Sequence, residues 1–324
     1  MPDSDTGSES IAVLIPIYND WDAVQALLPQ LDEVLGQFNR PATVILVDDA
    51  STAAVTLTDV VSNLQAIGQV VLVSLRRNLG HQRAIAVGLT VSQLKFPHDT
   101  LVVMDGDGQD RPEDVPRLVD EALRRGGTSI VFAERRRRSE GIVFTLCYHL
   151  YRLAHVLLTG ERVRFGNFSA IPRACLDRLV AVSELWSHYA AAVIRSRIPY
   201  ASIRTTRARR LAGRPQMKFT ALAVHGLSAL AVFSDVIGVR LLLTSVVIGL
   251  VAIVALAVGV PSQLLTSFDA MTGLQLAATA FLLVLVTFGS MLAFTFMILA
   301  SRQSSQFIPL RDYEYFVKKI TTIP

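Results

Sequence analysis

The sequence predicts an α/β fold, a mostly parallel sheet with helices on both faces, followed by two membrane-spanning helices near its C-terminal end. Three observations carry this expectation. Short apolar runs, Ile11 to Pro16, Thr43 to Val47, Val70 to Leu75 and Thr100 to Met104, alternate with helical stretches such as Ala23 to Phe38 and Gln82 to Gln93. Each run ends in a polar turn. Between Arg240 and Arg302 the only charged residue is Asp269.

Strands alternating with helices mean a largely parallel sheet covered on both sides. In such sheets ligands bind beyond the C-terminal strand ends. Polar residues stand at those ends here: Tyr18-Asn19-Asp20, Asp48-Asp49, Asn78, and Asp105-Gly106-Asp107. Four polar strand ends are therefore expected to meet at one crevice.

The chain is 51% hydrophobic with a mean hydropathy of +0.43, more apolar than an ordinary soluble enzyme. The surplus lies in Leu241 to Val260 and Met271 to Ala300, each long enough for the roughly 20 residues a spanning helix needs. A soluble pair of buried core helices is the alternative, but core helices seldom run so far without charge. Pro261, Ser262 and Gln263 are expected to open a turn between the spans. Arg240 precedes the first span, and Arg302, Arg311, Lys318 and Lys319 follow the second. The loop between them has no Lys or Arg, so the positive-inside rule puts both termini and the region before Arg240 in the cytoplasm. Met217 to Val239 reads as one or two amphipathic helices, lying in the interface or packed on the soluble core. The expected organisation is a disordered N-terminus (1–10), a catalytic domain (11–215), juxtamembrane helices (216–238), two spans (239–300) and a tail (301–324). The tail is expected to fold back on the catalytic domain or the interface. Met1 to Ser10 has neither the basic nor the apolar region of a signal peptide.

Net charge is +4 and the pI is near 9.3. Arg135, Arg136, Arg137 and Arg138 are consecutive, and Arg204, Arg207, Arg209, Arg210 and Arg214 come shortly before the apolar block. Such clusters attract anionic lipid and phosphate-bearing substrates, although a four-arginine run is often only a solvated face. No nucleic-acid motif accompanies them, which argues against that partner. The two cysteines, Cys147 and Cys175, match neither a zinc site nor a disulfide framework, and suit a reducing compartment.

Asp105 and Asp107 are the strongest chemical signal. Two carboxylates flanking a glycine at a strand end can reach one divalent cation, and hard oxygen ligands suit Mg²⁺ or Mn²⁺. The ion would bridge diphosphate oxygens. Gly106 is expected to allow a tight turn and a close approach to a ligand. Asp48 and Asp49 suit hydrogen bonds to a base edge or ribose hydroxyls; a helix N-cap or Asx-turn is the structural alternative, and Ser51 also fits that role. In the loop Arg77-Asn78-Leu79-Gly80-His81-Gln82, Arg77 suits phosphate and Gly80 a close approach. His81 alone is more often structural than catalytic.

Taken together, Ile15-Pro16-Ile17-Tyr18-Asn19-Asp20, Val47-Asp48-Asp49-Ala50-Ser51, Arg77-Asn78-Leu79-Gly80-His81-Gln82 and Met104-Asp105-Gly106-Asp107-Gly108-Gln109-Asp110 resemble the family 2 glycosyltransferases of GT-A, Rossmann-like fold. In order and spacing they are most similar to the polyprenyl-phosphate glycosyltransferase branch, which includes dolichol-phosphate mannose synthase and bacterial undecaprenyl-phosphate glycosyltransferases. The resemblance covers Ile11 to about Lys319. It implies a nucleotide pocket lined by Pro16, Tyr18, Asp20, Asp48, Asp49, Arg77 and Gly80. Asp105, Asp107 and Gln109 would hold metal and diphosphate. Arg135 or a neighbour, Arg152 and Arg210 would meet the acceptor phosphate, with Ser169 of Gly166-Asn167-Phe168-Ser169 as a further donor. The implied reaction is inverting, metal-dependent transfer of a sugar from a UDP- or GDP-sugar to undecaprenyl or dolichyl phosphate, at the cytoplasmic face of a cell membrane, by a homo-oligomer, by resemblance a tetramer. The sequence departs from the family pattern at three places. Asp20 stands for the usual Glu, Asn167 for the usual Asp, and Pro215-Gln216 replace Ser and Lys of the late Arg-x-x-Gly-x-Ser-Lys loop. Two other functions compete. A transferase to a sugar hydroxyl would need a general base, for which Glu184 is the candidate, and usually a Gln-x-x-Arg-Trp motif, which this sequence lacks. A non-catalytic nucleotide-sugar-binding membrane protein is the other.

Overall fold

The computed structural model describes residues 9–53, 57–135, 152–161, 165–212, 219–264, 270–305 and 307–323. The chain forms two compact units. The first comprises Met1–Glu140, Val163–Val232 and Ser304–Pro324; the second comprises Gly141–Arg162 and Phe233–Gln303.

The first unit is built on β1 (Ile11–Ile17), α1 (Trp21–Phe38), β2 (Ala42–Asp48), α2 (Thr58–Val61), β3 (Ile67–Leu75), α3 (His81–Lys95), β4 (Thr100–Val103), α4 (Asp114–Arg124) and β5 (Ile130–Arg135). A helix at 152–159, α5, belongs to the second unit. The first unit resumes with β6 (Ser169–Pro172), α6 (Arg173–Leu179), α7 (Tyr189–Arg195), β7 (Tyr200–Thr205) and α8 (Phe219–Ala231). All strands join one eight-stranded sheet in the order β7-β5-β6-β4-β1-β2-β3-β8, where β8 is Val317–Ile323. Strands β4, β1, β2 and β3 run parallel, as the apolar runs predict. β6 runs antiparallel to β4 and β5, and β8 antiparallel to β3.

Strand β1 is buried along its whole length because both faces of the sheet are covered. Ala12 and Leu14 pack with Val47, Val73, Ile85 and Leu89 on the α3 side. Val13 and Ile15 pack with Leu27, Leu31, Val44 and Leu118 on the other. Each large aliphatic side chain so buried contributes roughly 1.5–3 kcal/mol. Helix α1 buries Val24, Leu27, Leu28, Leu31 and Leu35, one apolar stripe at helical spacing. It ends at Asn39, whose left-handed backbone (φ 50°) lets its N–H return to the carbonyls of Leu35 and Gly36. Helix α3 lies so close to the sheet that a Cβ on Gly88 would come within 2.6 Å of Leu14 and 2.7 Å of Val47, so a side chain there would have to displace core side chains or the helix.

The second unit holds α5, α9 (Ser234–Leu264) and most of α10 (Ala270–Ser305). Helices of 31 and 36 residues exceed the roughly 30 Å hydrocarbon core at about 1.5 Å rise per residue. Ser234–Val251 and Leu276–Thr295 have mean hydropathies of 1.9 and 2.2, and are long and apolar enough to cross a membrane. Their apolar side chains face outward: Phe281, Phe288 and Met291 are 65–69% exposed. A core helix of a soluble protein would bury these. Within the unit the Arg240 guanidinium donates to the Leu157 carbonyl at 2.9 Å, and the Ser245 and Ser290 hydroxyls meet at 3.1 Å.

The structure corrects one local expectation. Pro261 to Gln263 do not turn the chain; α9 continues through them to Leu264, with the proline in the last turn. Residues 265–269 lie outside the described residues, as do the N-terminal segment 1–8, Cys147, Arg136 to Arg138 and the late-loop positions Gly213 to Gln216. The tail does fold back on the sheet-bearing unit: Pro309–Asp312 forms α11, and β8 pairs with β3 from Val70↔Ile323 to Leu75↔Val317.

Candidate functional site

The four parallel strands end at one edge, and their loops are laced together there. The Asp49 N–H donates to the Ile17 carbonyl at 2.8 Å and the Met104 N–H to the Leu14 carbonyl at 3.0 Å, so the chain leaving β2 and β4 stays against β1. Asn19 (φ 53°) and Ala50 (φ 58°) adopt left-handed backbone, an uncommon state for side-chain-bearing residues that persists only where surroundings enforce it. The enforcing bonds are visible. The Asn19 N–H donates to Ser51 Oγ at 2.9 Å, and Asn19 Oδ1 accepts from the Thr52 N–H at 2.8 Å. Asp48 Oδ1 accepts from the Ser51 N–H at 2.9 Å, three residues on, and so closes the turn after β2.

Asp49 has a different destination from a base-reading residue. It is 2% exposed, and its two oxygens accept from the backbone N–H groups of Leu79 (2.6 Å) and Gly80 (2.8 Å). Burial pushes its pKa up, with the two amide donors pulling against that. Asp49 thus brackets the loop between β3 and α3. Gly80 serves the bracket through its backbone (φ 88°, ψ 153°), which L side chains rarely adopt. The space a Cβ would enter there is open. Arg77 is exposed, with its guanidinium 5.9 Å from the Phe316 ring centroid.

The carboxylate pair lies on the loop after β4. Gly106 is buried, and its Cβ position would be 3.0 Å from Ile15 and Val24, so a side chain there would crowd the packing on β1 and α1. The Asp105 N–H donates to Asp110 Oδ2 at 3.0 Å, and Asp107 Oδ1 accepts from the Gln109 N–H at 2.9 Å. Burial raises the pKa of Asp107, with the Asp105 charge adding to it, against the Gln109 N–H and the Arg210 and Arg207 charges. His81 Nε2 stands 3.2 Å from Asp105 Oδ1 and 2.9 Å from Asn167 Nδ2. Protonated at Nε2, the ring donates to Asp105; deprotonated there, it accepts from Asn167. Burial disfavours the imidazolium, but the Asp105 hydrogen bond and the charges of Asp105, Asp110 and Asp49 outweigh it and raise the pKa.

Across this loop lies the segment after β7. The Arg210 guanidinium bridges two strand ends, pairing with Asp107 Oδ2 at 3.1 Å through Nη1 and with Asp20 Oδ2 through Nη2. Its Nε donates to the Ala212 carbonyl at 2.8 Å. Arg207 donates to Gln109 Oε1, and backbone bonds Ala208 N–H to Gln109 O (3.0 Å) and Leu211 N–H to Asp107 O (3.0 Å) seat the segment. Leu211 packs where a Cβ on Gly108 would be, 2.4 Å from its Cγ.

Several expected site residues are brought together: Asp20, Asp105, Asp107, Gln109 and Arg210. Tyr18 is 42% exposed beside them in sequence, and Pro16 pairs with Val47 in the sheet. Ser169 is not available to a ligand. It is fully buried on β6, and its Oγ donates to the Asn167 carbonyl (2.9 Å) and meets the Tyr189 hydroxyl (2.6 Å). The Arg135 side chain lies outside the described residues, and Arg152 opens α5 in the second unit. The motifs contain His81, Gln82, Asp110 and Asn167 without giving them partners; the structure links His81–Asn167–Gln82–Tyr189, with Gln82 Oε1 accepting from the Tyr189 N–H at 2.7 Å, and adds Arg207 to the site.

The donor set fits a divalent ion that arrives with a ligand. Both carboxylates are hard oxygen donors, close enough for one charge to raise the other's pKa. Among the described residues no group of three or more His, Cys, Asp or Glu side chains is arranged to hold an ion alone. Mg²⁺ commonly takes one or two carboxylates and completes its shell with phosphate oxygens and water.

Residues 12–177, half of the chain, match the family described as glycosyl transferase family 2. The chain belongs to that family. Two curated members are undecaprenyl-phosphate 4-deoxy-4-formamido-L-arabinose transferases. The one from Klebsiella pneumoniae is 34% identical over 140 residues, 41% of this chain and 39% of the relative. The one from Pectobacterium carotovorum is 30% identical over 175 residues, 53% and 50%. The chain thus spans half or less of the length of these relatives. Among solved structures, glucosyl-3-phosphoglycerate synthase from Mycobacterium tuberculosis, in complex with Mn²⁺, UDP-glucose and phosphoglyceric acid, aligns at a TM-score of 0.50 and 20% identity over 71% of this chain and 80% of that one. The family's GT-A fold, a mostly parallel sheet with the polar strand ends gathered at one edge, is therefore shared.

Proposed function

We propose that the protein transfers a sugar, with inversion, from a UDP- or GDP-sugar to a polyprenyl phosphate, undecaprenyl or dolichyl. The single observation behind this reading is the Asp105–Asp107 carboxylate pair after β4, with Arg210 joining Asp107 to Asp20. The undecaprenyl-phosphate substrates in the names of the two curated relatives support it, as do the Mn²⁺ and UDP-glucose held by the aligned glucosyl-3-phosphoglycerate synthase.

Asp105 and Asp107, with Gln109 beside them, would hold Mg²⁺ or Mn²⁺, which supplies charge neutralisation on the departing diphosphate. Tyr18, Asp20, Asp48, Arg77 and the loop bracketed by Asp49 border the space for the nucleotide. A lipid phosphate is anionic at neutral pH, so its oxygen attacks the anomeric carbon without a general base. The chain's own contribution is positioning and electrostatics. Were Asp107 to hold a divalent ion, the Arg210 Nη1 that now meets it would be free to donate to the acceptor phosphate, while Nη2 stays on Asp20. Arg135 and Arg152 are proposed to share this role. The two long apolar helices form a membrane hairpin with the catalytic domain (11–215), juxtamembrane helices (216–238) and tail (301–324) on the cytoplasmic side; association into a tetramer is part of the same reading.

The test is transfer from radiolabelled UDP- and GDP-sugars to undecaprenyl phosphate by the purified protein with Mg²⁺ or Mn²⁺, beside Asp107→Ala. A labelled lipid that vanishes in the variant is the expected result and names the donor. Nucleotide binding with no lipid product from any donor would sink the acceptor assignment.

A further inference from the structure

The loop from Arg76 to Gly80 has two anchors, one in the motif after β2 and one in no motif at all. Asp49 holds its far end through the Leu79 and Gly80 amides. Its near end is held by the tail: the Arg76 N–H donates to the Phe316 carbonyl at 2.8 Å. The Phe316 ring lies 4.8 Å from the Trp186 ring and beneath the Arg77 guanidinium at 5.9 Å. Trp186 also stacks on Phe307 at 5.5 Å and carries the Arg83 guanidinium at 5.6 Å. Arg77 and Arg83 repel one another, and each cation lies over an aromatic face, with Arg77 also donating to the Asn78 carbonyl at 3.3 Å. The pairing of β8 with β3 slips by one residue at Lys318, between Ser74↔Lys319 and Leu75↔Val317. That bulge re-aims the tail at the point where β3 becomes the loop, so that the Phe316 carbonyl meets Arg76.

We propose that the tail is a positioning element of the donor site, acting through Phe316 on the loop Arg76–Gly80. The assignment of that loop to the donor rests on the function proposed above. Phe316 touches no reacting atom. Its backbone sets where the loop begins, its ring sets Arg77, and the loop in turn delivers His81 to Asp105. The tail follows α10 directly in sequence, so the segment that leaves the second long apolar helix ends by shaping a loop at the strand ends.

The test uses the full chain in detergent, with Phe316→Ala and the conservative Phe316→Tyr, read by amide hydrogen exchange and by donor kinetics. Phe316→Ala is expected to speed exchange at Arg76 to Gly80 by about tenfold while β1 (Ile11–Ile17) keeps its protection. Donor KM should rise about tenfold with kcat within about twofold of wild type, because the loop is misplaced while the carboxylates are intact. Phe316→Tyr should restore both. Unchanged loop exchange in Phe316→Ala would overturn the proposal, and so would acceleration spread evenly over β1 and the loop, which marks general destabilisation. Faster loop exchange in a protein whose wild type binds neither UDP nor GDP would uphold the positioning and refute the donor reading instead.

Discussion

Two sides of the site are held by different kinds of bond. On the side of β2 and β3, Asp49 is buried and accepts from two backbone amides, Leu79 and Gly80. On the side of β4, Asp107 is paired with the side chain of Arg210, which also spans to Asp20. A backbone amide cannot leave its carboxylate unless the loop itself moves. A guanidinium on a long side chain can exchange with another cation. The first carboxylate is therefore fixed to backbone and the second is held by an exchangeable partner, which is why we propose the second for the chemistry, although both are aspartates at strand ends and both have pKa values raised first of all by burial. The difference lies in the partner, and partners are contributed by distant parts of the chain.

The comparison breaks most visibly at Asp107. Asp107→Asn keeps the Gln109 amide bond in reach and removes the charge. We expect sugar transfer to fall by about a thousandfold, the order seen when a principal electrostatic contact is removed, with the melting temperature nearly unchanged. Loss of activity together with early melting would put Asp107 on the scaffold side. Arg210→Gln comes next. Steady-state transfer should drop about a hundredfold, again without loss of fold, and Arg210→Lys should recover little of it because an ammonium cannot reproduce the fork that reaches two carboxylates. Asp49→Asn should show the opposite profile. An amide nitrogen facing Leu79 or Gly80 leaves one buried N–H without an acceptor, a cost of about 1–3 kcal/mol, visible as a lower melting temperature.

The smallest effect is a pH baseline against which those differences are read. His98 is buried, with Nδ1 2.7 Å from the Phe96 carbonyl, and burial lowers its pKa from 6.5 to about 4. The folded state binds this proton less readily than the unfolded chain. Its contribution is thus fully present above pH 6.5 and is lost progressively as pH falls toward 4, by at most about 3 kcal/mol. His98→Gln should flatten that part of the acid limb in thermal unfolding followed across this pH range; an unchanged limb would show that His98 is not its source.

Much of the fold was legible because local pattern and global architecture agree. Runs such as Val44 to Val47 are buried on both faces, so they read as continuous apolar segments that end in polar residues. The pair Asp105 and Asp107 was legible for the same reason. β8 was not: its sequence, Val317-Lys318-Lys319-Ile320-Thr321-Thr322-Ile323, has no long apolar run, and it becomes a strand only because β3 offers a free edge. Ser169 looked like a phosphate donor by its neighbours in sequence. The antiparallel insertion of β6 between β4 and β5 turns it into the core, against Tyr189. Gly106 and Gly80 read alike as glycines of a ligand loop, yet a side chain would be crowded by packing at one and strained by the backbone angle at the other.

The sequence by itself determined the alternation of strand and helix, the long apolar helices and the chemical character of the strand ends, because these depend on neighbours within a turn or a strand. The tertiary structure alone decided which carboxylate meets backbone amides and which meets a guanidinium, that Arg210 meets Asp20 across 190 positions of chain, and that the tail completes the sheet beside the loop Arg76–Gly80. Those outcomes are set by contacts between residues far apart in sequence, whose strengths depend on burial and on the partner each group finds once the sheet has assembled.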